Sequence, residues 1–141
     1  MNKLFIILLF LFAPFTTSSV PFEVCDEGPI NITNLDFTPN PIVAGQDLTV
    51  NIEGSTQVEV QQGSTLTLAT YEWLFPIHQT FDFCKMSINP PCPINIGDFN
   101  LNVTYPIPEL AKKFDGKLVN LTLSNPDNTL LTCIEFTVHF A

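Results

Sequence analysis

Basic residues are scarce in this sequence. Its 141 residues include no arginine and only five lysines, against 14 aspartate and glutamate residues. A chain with this charge balance repels the phosphate backbone, so nucleic-acid binding is excluded as a function class. Charged residues make up only 13% of the chain and hydrophobic residues make up 45%, unlike a disordered acidic chain. The composition indicates a well-filled apolar interior under an acidic surface.

Residues that could carry catalysis are also few. The chain has two histidines: His139 falls on the outward phase of the last predicted strand, and His78 follows a proline in a predicted loop. The sequence contains no nucleophile elbow, no phosphate-binding loop and no metal-binding motif. No two carboxylates are marked as a glycosidase pair. We therefore expect no catalytic residue, no metal and no cofactor. A hydrolase is kept only as an alternative hypothesis.

The longest apolar run lies at the N-terminus and is short. Residues 1–3 form a positive start, residues 4–15 are almost all apolar, and residues 16–19 are small. This order is typical of a secretory signal peptide, whereas a membrane-spanning helix needs about 20 apolar residues. We predict a signal peptide at 1–19, cut after Ser19, and one domain at 20–141. The predicted mature chain keeps four lysines and 14 carboxylates, a formal net charge of −10.

Four cysteines remain in the predicted mature chain: Cys25, Cys84, Cys92 and Cys133. An even number in an exported chain predicts disulfides, and the spacings fit no standard zinc pattern. Four cysteines allow three pairings. The sequence NPP at 89–91 suits a tight loop and favours Cys84–Cys92. This choice leaves Cys25–Cys133 to tie the first strand to the last.

Alternation of apolar and polar residues dominates the chain. It is clearest in four segments, at residues 48–53, 99–105, 119–123 and 134–140. Each is typical of a strand with one buried face. Weaker strand patterns lie at 30–37, 57–61, 65–73 and 80–84. With turn residues between them, these segments predict an all-β sandwich of seven to eight antiparallel strands. Only residues 108–114 could hold a helical turn.

Three N-glycosylation sequons agree with this assignment of faces. Their asparagines are Asn31, Asn102 and Asn120. An attached glycan must point to solvent, and each asparagine falls on the polar phase with apolar neighbours on the other phase. All three are therefore candidate glycosylation sites.

Large apolar side chains are crowded just before Cys84. The segment contains Trp73, Leu74, Phe75, Pro76, Ile77, Phe81 and Phe83. One strand cannot bury all of them on one face. They either fill the core or line a cavity and its mouth, and apolar cavities are common ligand sites. Periodicity alone favours a filled core.

Several motifs together resemble one known family. They are Cys84 followed by NPPCPI at 89–94 and Gly97, FPI at 75–77, FTPNP at 37–41 with Gly45, IP at 107–108, GKL at 116–118, and LTCIEF at 131–136. This pattern resembles the ML family (MD-2-related lipid recognition), which includes the Niemann–Pick type C2 proteins and the phosphatidylglycerol/phosphatidylinositol transfer proteins. The resemblance covers nearly the whole predicted mature chain.

The resemblance implies an immunoglobulin-like sandwich whose sheets splay to enclose an internal apolar lipid cavity. It also implies the two disulfides favoured above. Many relatives carry a further cysteine pair near the first hairpin, and this chain has none there, which weakens any transfer of exact ligand identity. Sterol, phospholipid and glycolipid carriers share the fold.

Site residues follow from the same resemblance. Phe75 and Ile77 are expected at the pocket mouth, and Phe114 takes the place of an aromatic residue that packs on the ligand. The expected cavity walls are Val50, Ile52, Leu66, Leu68, Leu101, Val103, Tyr105, Leu121, Phe136 and Val138.

The resulting hypothesis is a monomeric, soluble lipid carrier, secreted or in the endosome or lysosome lumen. It transfers a sterol or a phospholipid of the phosphatidylglycerol/phosphatidylinositol type between membranes. The alternative is a secreted recognition or adhesion module with a solid core. Lys112, Lys113 and Lys117 bracket Phe114 and are expected to make transient contact with anionic membranes, unless they belong to a merely solvated loop.

Overall fold

The computed structural model describes residues 19–72 and 75–141, with the side chains of 72, 75 and 76 left out. The described residues form nine strands: β1 (Glu23–Asp26), β2 (Ile30–Thr38), β3 (Asp47–Thr56), β4 (Thr65–Glu72), β5 (Phe75–Asp82), β6 (Ser87–Asn89), β7 (Gly97–Pro106), β8 (Leu118–Ser124) and β9 (Leu130–Thr137). Two short 3-10 helices are η1 (Phe83–Lys85) and η2 (Glu109–Phe114). No helix in this described part of the chain is long and apolar enough to cross a membrane.

The strands form two antiparallel sheets that pack face to face. Sheet A has the order β1-β9-β8-β4-β5, and sheet B has the order β2-β3-β7-β6. The predicted all-β sandwich is therefore confirmed. The strands exceed the predicted seven to eight because β1 and β6 have only four and three residues, too few to show a period of two.

Alternation assigns the faces of these strands as expected. In sheet B, Val50 pairs with Val103 and Ile52 pairs with Leu101. In sheet A, Leu121 pairs with Ile134 on one side and with Leu68 on the other. These apolar side chains lie on the inner faces, because residues of one phase along a strand share one side of the sheet.

Two local predictions were wrong, and the last strand ends earlier than predicted although His139 faces outward as expected. Residues 57–61 do not form a strand, and only Val60 makes an isolated bridge, to Ile94. His78 lies within β5, paired with Ala69, and not in a loop, because β5 is an edge strand and edge strands tolerate a proline such as the one at 76. His139 lies beyond the end of β9 and is exposed.

Two disulfides hold the sheets and loops in the pairing that the spacing favoured. Cys25–Cys133 joins β1 to β9 over a sequence separation of 108 residues. Cys84–Cys92 joins η1 to the loop after β6 over a separation of eight residues. In the chain-entropy description, closing the longer loop stabilises the fold by about 4–5 kcal/mol.

The sandwich has two ends of different construction. The closed end consists of the loops at residues 57–64, 90–96 and 125–129. The open end consists of the loops at residues 39–46 and 107–117 and the C-terminal residues 138–141. The hairpin between β4 and β5 turns at the open end as well, because β4 runs from Thr65 beside Ser124 toward that end.

Backbone and side-chain hydrogen bonds fasten the closed end. Val60 and Ile94 exchange two backbone bonds, of 2.9 and 3.0 Å. The buried Asn125 accepts the Gln61 N–H at 3.1 Å and donates from Nδ2 to the Glu59 carbonyl at 3.1 Å. The hydroxyl of Ser64 lies 2.9 Å from Asn125 Oδ1. Because buried amides must be satisfied, this network fixes the three loops relative to one another.

Candidate ligand-binding cavity

An apolar cavity of about 350 Å³ lies between the sheets. Ligand cavities in proteins span roughly 300–1,000 Å³, so the space is large enough for part of a lipid. It is lined by inner-face residues of both sheets and by η2. The predicted wall residues that border it are Val50, Ile52, Leu66, Leu68, Leu101, Val103, Tyr105, Leu121, Phe136 and Val138, together with Ile77 and Phe114.

The buried apolar residues around the cavity form two clusters, and members of both line it. One is centred near the closed end, around Val60, Phe83 and Ile94, and the other near the open end, around Phe37 and Phe136.

Bridging residues show where the space lies. Ile32, Ile52 and Leu121 pack against both clusters, yet they are only half-buried. All three also line the cavity, so their incomplete burial marks where the empty space lies.

The exposed members of the lining mark the mouth of the cavity. They are Gln79 on β5, and Pro108, Leu110 and Lys113 at or within η2. The mouth therefore lies between edge strand β5 and η2, at the open end.

Two aromatic pairs connect the sheets. Phe81 of β5 and Tyr105 of β7 meet edge to face, with ring centroids 5.2 Å apart. Phe37 of β2 and Phe136 of β9 do the same on the opposite side, at 5.4 Å.

Helix η2 is held at its two ends. Before it, the Gly45 N–H donates to the Ile107 carbonyl at 2.9 Å. After it, the Gly116 N–H donates to the Val138 carbonyl at 2.8 Å, and Gly116 has a φ of +76°, which favours glycine. Between these points none of its residues is buried. The half-buried Phe114 ring borders the cavity, so η2 forms one lip of the mouth.

Polar groups in the lining are few. Thr70 donates to the Leu118 carbonyl at 3.0 Å, inside the protein. Among the described residues that line the cavity, one is charged, Lys113, and none is a carboxylate. The Lys113 ammonium lies 5.2 Å from the centroid of the Phe114 ring, close enough for a cation–π contact. The arrangement offers an apolar slot with a cation at its entrance.

A shifted side-chain pKa is found away from the cavity. Hydrogen bonds from the side chain and backbone of Thr129 lower the pKa of Asp127, which lies in the turn between β8 and β9 at the closed end. In the described part of the chain, no three His, Cys, Asp or Glu side chains are grouped so that they could hold a metal ion.

Some predicted mouth residues lie outside the described parts. The side chains of Phe75 and Pro76, and the whole of Trp73 and Leu74, belong to this group. The other crowded residues, Ile77, Phe81 and Phe83, all border the cavity. The crowding in the sequence therefore reflects, at these three positions, a cavity wall as well as core.

Sequence reasoning missed part of the wall. Further lining residues are Phe37, Ile42, Leu48, Ile94, Phe99, Ile107 and Leu110. Leu48 shares the phase of Val50 and Ile52, so periodicity could have found it. Leu110 carries no periodic signal, because the six residues of η2 are too few for a repeating pattern.

The predicted docking lysines gather at the mouth. Lys112, Lys113 and Lys117 are all exposed, in η2 or just after it. The remaining lysine of the described chain, Lys85, lies in η1 and forms an exposed ion pair with Asp82 at 3.8 Å. Three of the five strongly exposed large apolar side chains in the described parts, Leu110, Tyr71 and Leu118, also lie toward the open end.

The sequon asparagines lie on outer faces. Asn31 and Asn102 are exposed on sheet B. Asn120 is half-buried on sheet A, and its Nδ2 donates to Glu135 Oε1 at 3.4 Å and to Cys25 Sγ at 3.3 Å.

Comparison with known proteins shows which sequences this chain resembles. The family profile of the ML domain matches residues 19–140. The phosphatidylglycerol/phosphatidylinositol transfer protein of Candida albicans is 33% identical over 127 residues, which cover 85% of this chain and 65% of the relative. The chain thus spans slightly less than two thirds of that protein's length.

Two solved structures share the fold. A Niemann–Pick type C2 protein from the Japanese carpenter ant superposes with a TM-score of 0.65 at 15% identity, covering 86% of this chain and 99% of that one. Chicken MD-1 in complex with lipid IVa superposes with a TM-score of 0.58 at 12% identity, covering 85% and 97%. At these identities the likeness establishes the fold alone.

Proposed function

We propose that this chain, which belongs to the ML domain family, is a soluble lipid carrier that holds one lipid between its sheets and exchanges it between membranes. The observation that carries the proposal is the cavity of about 350 Å³, whose walls are almost entirely apolar and which opens at one end. A recognition module with a solid core, the alternative, does not account for that space.

The physical basis is simple. Removing apolar surface from water is worth about 25 cal/mol per Å², whether the surface enters a bilayer or a dry protein slot. A lipid tail therefore exchanges between the two with little net change in free energy. Transfer needs no covalent chemistry, and we propose no catalytic role for the chain.

The proposed ligand is a phospholipid of the phosphatidylglycerol/phosphatidylinositol type. The name of the C. albicans relative supports this class, and chicken MD-1, which shares the fold, is complexed with lipid IVa. A sterol is the second candidate, because the resemblance to the ML family also implies sterol carriers.

The proposed location is outside the cell or in the endosome or lysosome lumen. Disulfides such as Cys25–Cys133 and Cys84–Cys92 persist in oxidising compartments. The apolar run at residues 4–15 supports export through a signal peptide.

A docking face surrounds the proposed exit route. We define it as Lys112, Lys113, Lys117, Leu110, Tyr71 and Leu118. Each lysine near an anionic membrane surface contributes about 1 kcal/mol, and the exposed apolar side chains gain by entering the headgroup region. Together they offset the repulsion between an acidic protein and an anionic bilayer, and they turn the mouth toward it. A monomer suffices for this mechanism.

The test has two stages. Native mass spectrometry of the purified protein detects any lipid that copurifies. Transfer of a fluorescent phospholipid between vesicles is then measured for the parent, for Leu121→Trp and for the control Leu118→Trp. Leu121 borders the cavity, so the larger side chain should fill the slot and reduce both bound lipid and transfer by about ten-fold or more. Leu118 points outward on the same strand, so its variant should retain bound lipid.

Both variants are first checked for folding by circular dichroism and thermal unfolding. If Leu121→Trp folds and still binds and transfers lipid like the parent, the cavity is not the ligand site. If the parent neither copurifies with lipid nor takes it up from vesicles, the carrier function itself is wrong.

A further inference from the structure

We propose that the Tyr105 hydroxyl, together with the Gln79 amide, donates a hydrogen bond to an ester carbonyl of the bound lipid. These two residues and Phe81 form the neck of the cavity, the part just inside its mouth. The neck thereby distinguishes acyl esters from alkyl ethers of the same tail length. This inference rests on the proposed lipid-carrier function and concerns how that same cavity selects its ligand.

Side chains with hydroxyl, amide or ammonium groups are rare in the cavity lining. Among the described residues they are Thr70, Gln79, Tyr105, Lys113 and Thr132. Thr70 already donates to the Leu118 carbonyl at 3.0 Å. By contrast, the side chains of Gln79, Tyr105 and Thr132 form no hydrogen bond with any residue that the structure describes. The lining therefore contains donors that a ligand could use.

The Tyr105 hydroxyl reaches open space. Within the described residues, Asp36 Oδ1 alone is a side-chain oxygen or nitrogen that is both fully enclosed and without a partner. Tyr105 is half-buried and lines the cavity, so its unpaired hydroxyl is not enclosed by protein atoms. A phenol hydroxyl can donate one hydrogen bond, and it is thus able to serve a ligand that enters this space.

Two observations place Tyr105 just inside the mouth. Its ring meets the ring of Phe81 edge to face, with the centroids 5.2 Å apart. Phe81 is two residues from Gln79 on β5, and both side chains line the cavity. Along the chain, Tyr105 precedes the mouth residue Pro108 by three positions, a distance of at most about 11 Å. The neck therefore lies between the mouth and the deeper, apolar part of the slot.

A glycerolipid needs hydrogen-bond donors at this depth. Its tails fill the apolar slot and its headgroup stays in water at the mouth, so the ester carbonyls that join tails to glycerol lie between the two. A carbonyl that leaves water without finding a donor weakens binding. An alkyl ether has no carbonyl and gains little from a donor at the neck. A donor at this position thus favours the ester.

Depth separates the neck from the other unpaired hydroxyl of the lining, that of Thr132. Thr132 pairs with Leu123 of β8, and Leu123 belongs to the cluster near the closed end. A hydroxyl at that depth meets the methylene groups of the tails, which accept no hydrogen bond. Thr132→Val, which replaces the hydroxyl by a methyl group, therefore tests whether the position of the donor matters.

The chain also offers a matched control for Tyr105→Phe. This variant removes one oxygen and keeps the ring that meets Phe81. Tyr71 is the other tyrosine of the chain; it is 65% exposed and is not part of the cavity lining. Tyr71→Phe makes the same chemical change outside the cavity. All variants are first checked for folding by circular dichroism and thermal unfolding.

The experiment measures binding without membranes, so docking does not enter. Dihexanoyl phosphatidylcholine and its dihexyl ether analogue, both as monomers, compete with a fluorescent naphthalene sulfonate dye for the full protein. The measured quantity is the dissociation constant of the ether divided by that of the ester. A second pair with the phosphatidylglycerol headgroup is compared in the same way, so that the headgroup is constant within each pair.

Tyr105→Phe should lower this ratio by about three- to ten-fold in both pairs, the range expected for one neutral hydrogen bond. Gln79→Met should lower it by about two-fold, because the exposed amide also bonds to water. Tyr71→Phe and Thr132→Val should leave the ratio unchanged.

Several outcomes overturn the inference. One is an unchanged ratio in Tyr105→Phe, whether or not both lipids bind more weakly. Another is a shift of the same size in Tyr71→Phe or Thr132→Val. A shift with one headgroup only also contradicts it, because recognition would then involve the headgroup and not the linkage. If Tyr105→Phe does not fold, Gln79→Met decides, and a ratio equal to that of the parent overturns the inference. Failure of the parent to bind any of these lipids would instead contradict the proposed function.

Discussion

The two ends of this sandwich are built from the same strands and finished in opposite ways. At the closed end, the Val60–Ile94 bridge and the Asn125 network join loops of both sheets, and the Cys84–Cys92 disulfide adds a covalent tie. At the open end, η2 is fastened before and after but buries none of its residues. The difference indicates that the loops clamp the two sheets together at the closed end and leave an entrance at the open end.

An entrance has an energetic cost that the clamp helps to offset. Side chains that border an empty space lose contacts with neighbouring atoms, which costs free energy of folding. Domains of this size are stable by only about 5–15 kcal/mol. The satisfied polar network and the disulfides therefore stabilise a fold that an unfilled core leaves weakened, and a bound lipid should stabilise it further.

The largest effect is expected from a substitution that breaks the clamp at the closed end. Asn125→Ala leaves the Gln61 N–H, the Glu59 carbonyl and the Ser64 hydroxyl without this partner. We expect the free energy of unfolding to fall by about 3 kcal/mol, measured by urea denaturation. Lipid affinity at a temperature well below the unfolding midpoint should stay unchanged. Asn95→Ala, at an exposed position of the same end, should change stability by less than about 0.5 kcal/mol. Equal losses in the two variants would show that the network is not the clamp.

The next largest effect is expected from a substitution that widens the entrance. Phe114→Ala removes an aromatic ring from the lip and should weaken lipid binding by about ten-fold, because the ring's contact area with the ligand is lost. The cost in unfolding free energy should stay near about 1 kcal/mol, since the ring is only half-buried. Phe22→Ala is the control: Phe22 is also half-buried and packs on the open-end cluster, but it is not among the lining residues.

Titration of a fluorescent lipid measures the first quantity for both variants, and thermal unfolding measures the second. Similar lipid affinities in Phe114→Ala and Phe22→Ala would mean that the lip does not touch the ligand.

The same contrast explains what the sequence could reveal. Strand alternation predicted the sandwich and the inward phase of residues such as Val50, Val103 and Leu121, because they follow a period of two whether they face core or cavity. For the same reason, alternation could not tell a filled interior from an empty one. That distinction depends on how two sheets splay, which is a property of non-local packing. The cavity was expected only through the family resemblance.

Irregular segments were the hardest to predict. Helix η2 was anticipated as a possible turn, but Leu110 could not be recognised as a lip residue because six residues are too few to show a periodic pattern. The run at 57–61 looks like a strand, yet it lies in the clamp, where Val60 finds one bridge partner and no ladder. His78 was misplaced because Pro76 signals a loop, and the signal fails on an edge strand.

A third prediction concerns the charge difference between the ends. The double variant Lys112→Gln/Lys117→Gln keeps Lys113 and removes two cations from the docking face. It should slow transfer to anionic vesicles about five-fold at low salt, with little effect at high salt or on neutral vesicles. Lys85→Gln, at the closed end, should transfer like the parent. A slowdown of the same size in Lys85→Gln would show that net charge, and not the location of the lysines, governs docking.

A fourth prediction uses apolar residues in the same way. Leu110 is 81% exposed at the open end, and Ile96 is 68% exposed in a closed-end loop. Leu110→Ala should reduce the transfer rate two- to four-fold, because less apolar surface enters the bilayer on docking. Ile96→Ala should leave it unchanged. Neither substitution should move the unfolding midpoint appreciably, since both side chains lie in solvent. Equal rates for the two variants would remove Leu110 from the docking face.

The smallest expected effect lies on the outer faces, away from both ends. Asn102 accepts the Asn51 amide through Oδ1 at 2.9 Å, and so its Nδ2, the atom that carries a glycan, is not used in that bond. Asn31 is exposed as well. The Nδ2 of Asn120 donates to Glu135 and Cys25, contacts that an attached sugar would have to replace.

In protein secreted from a eukaryotic host, Asn31→Gln and Asn102→Gln should each remove the mass of one glycan, and Asn120→Gln should remove none. All three should transfer lipid at the parental rate, because these positions lie away from the mouth between β5 and η2. A slower rate in Asn31→Gln or Asn102→Gln would mean that the functional surface extends onto the outer face of sheet B, beyond the open end.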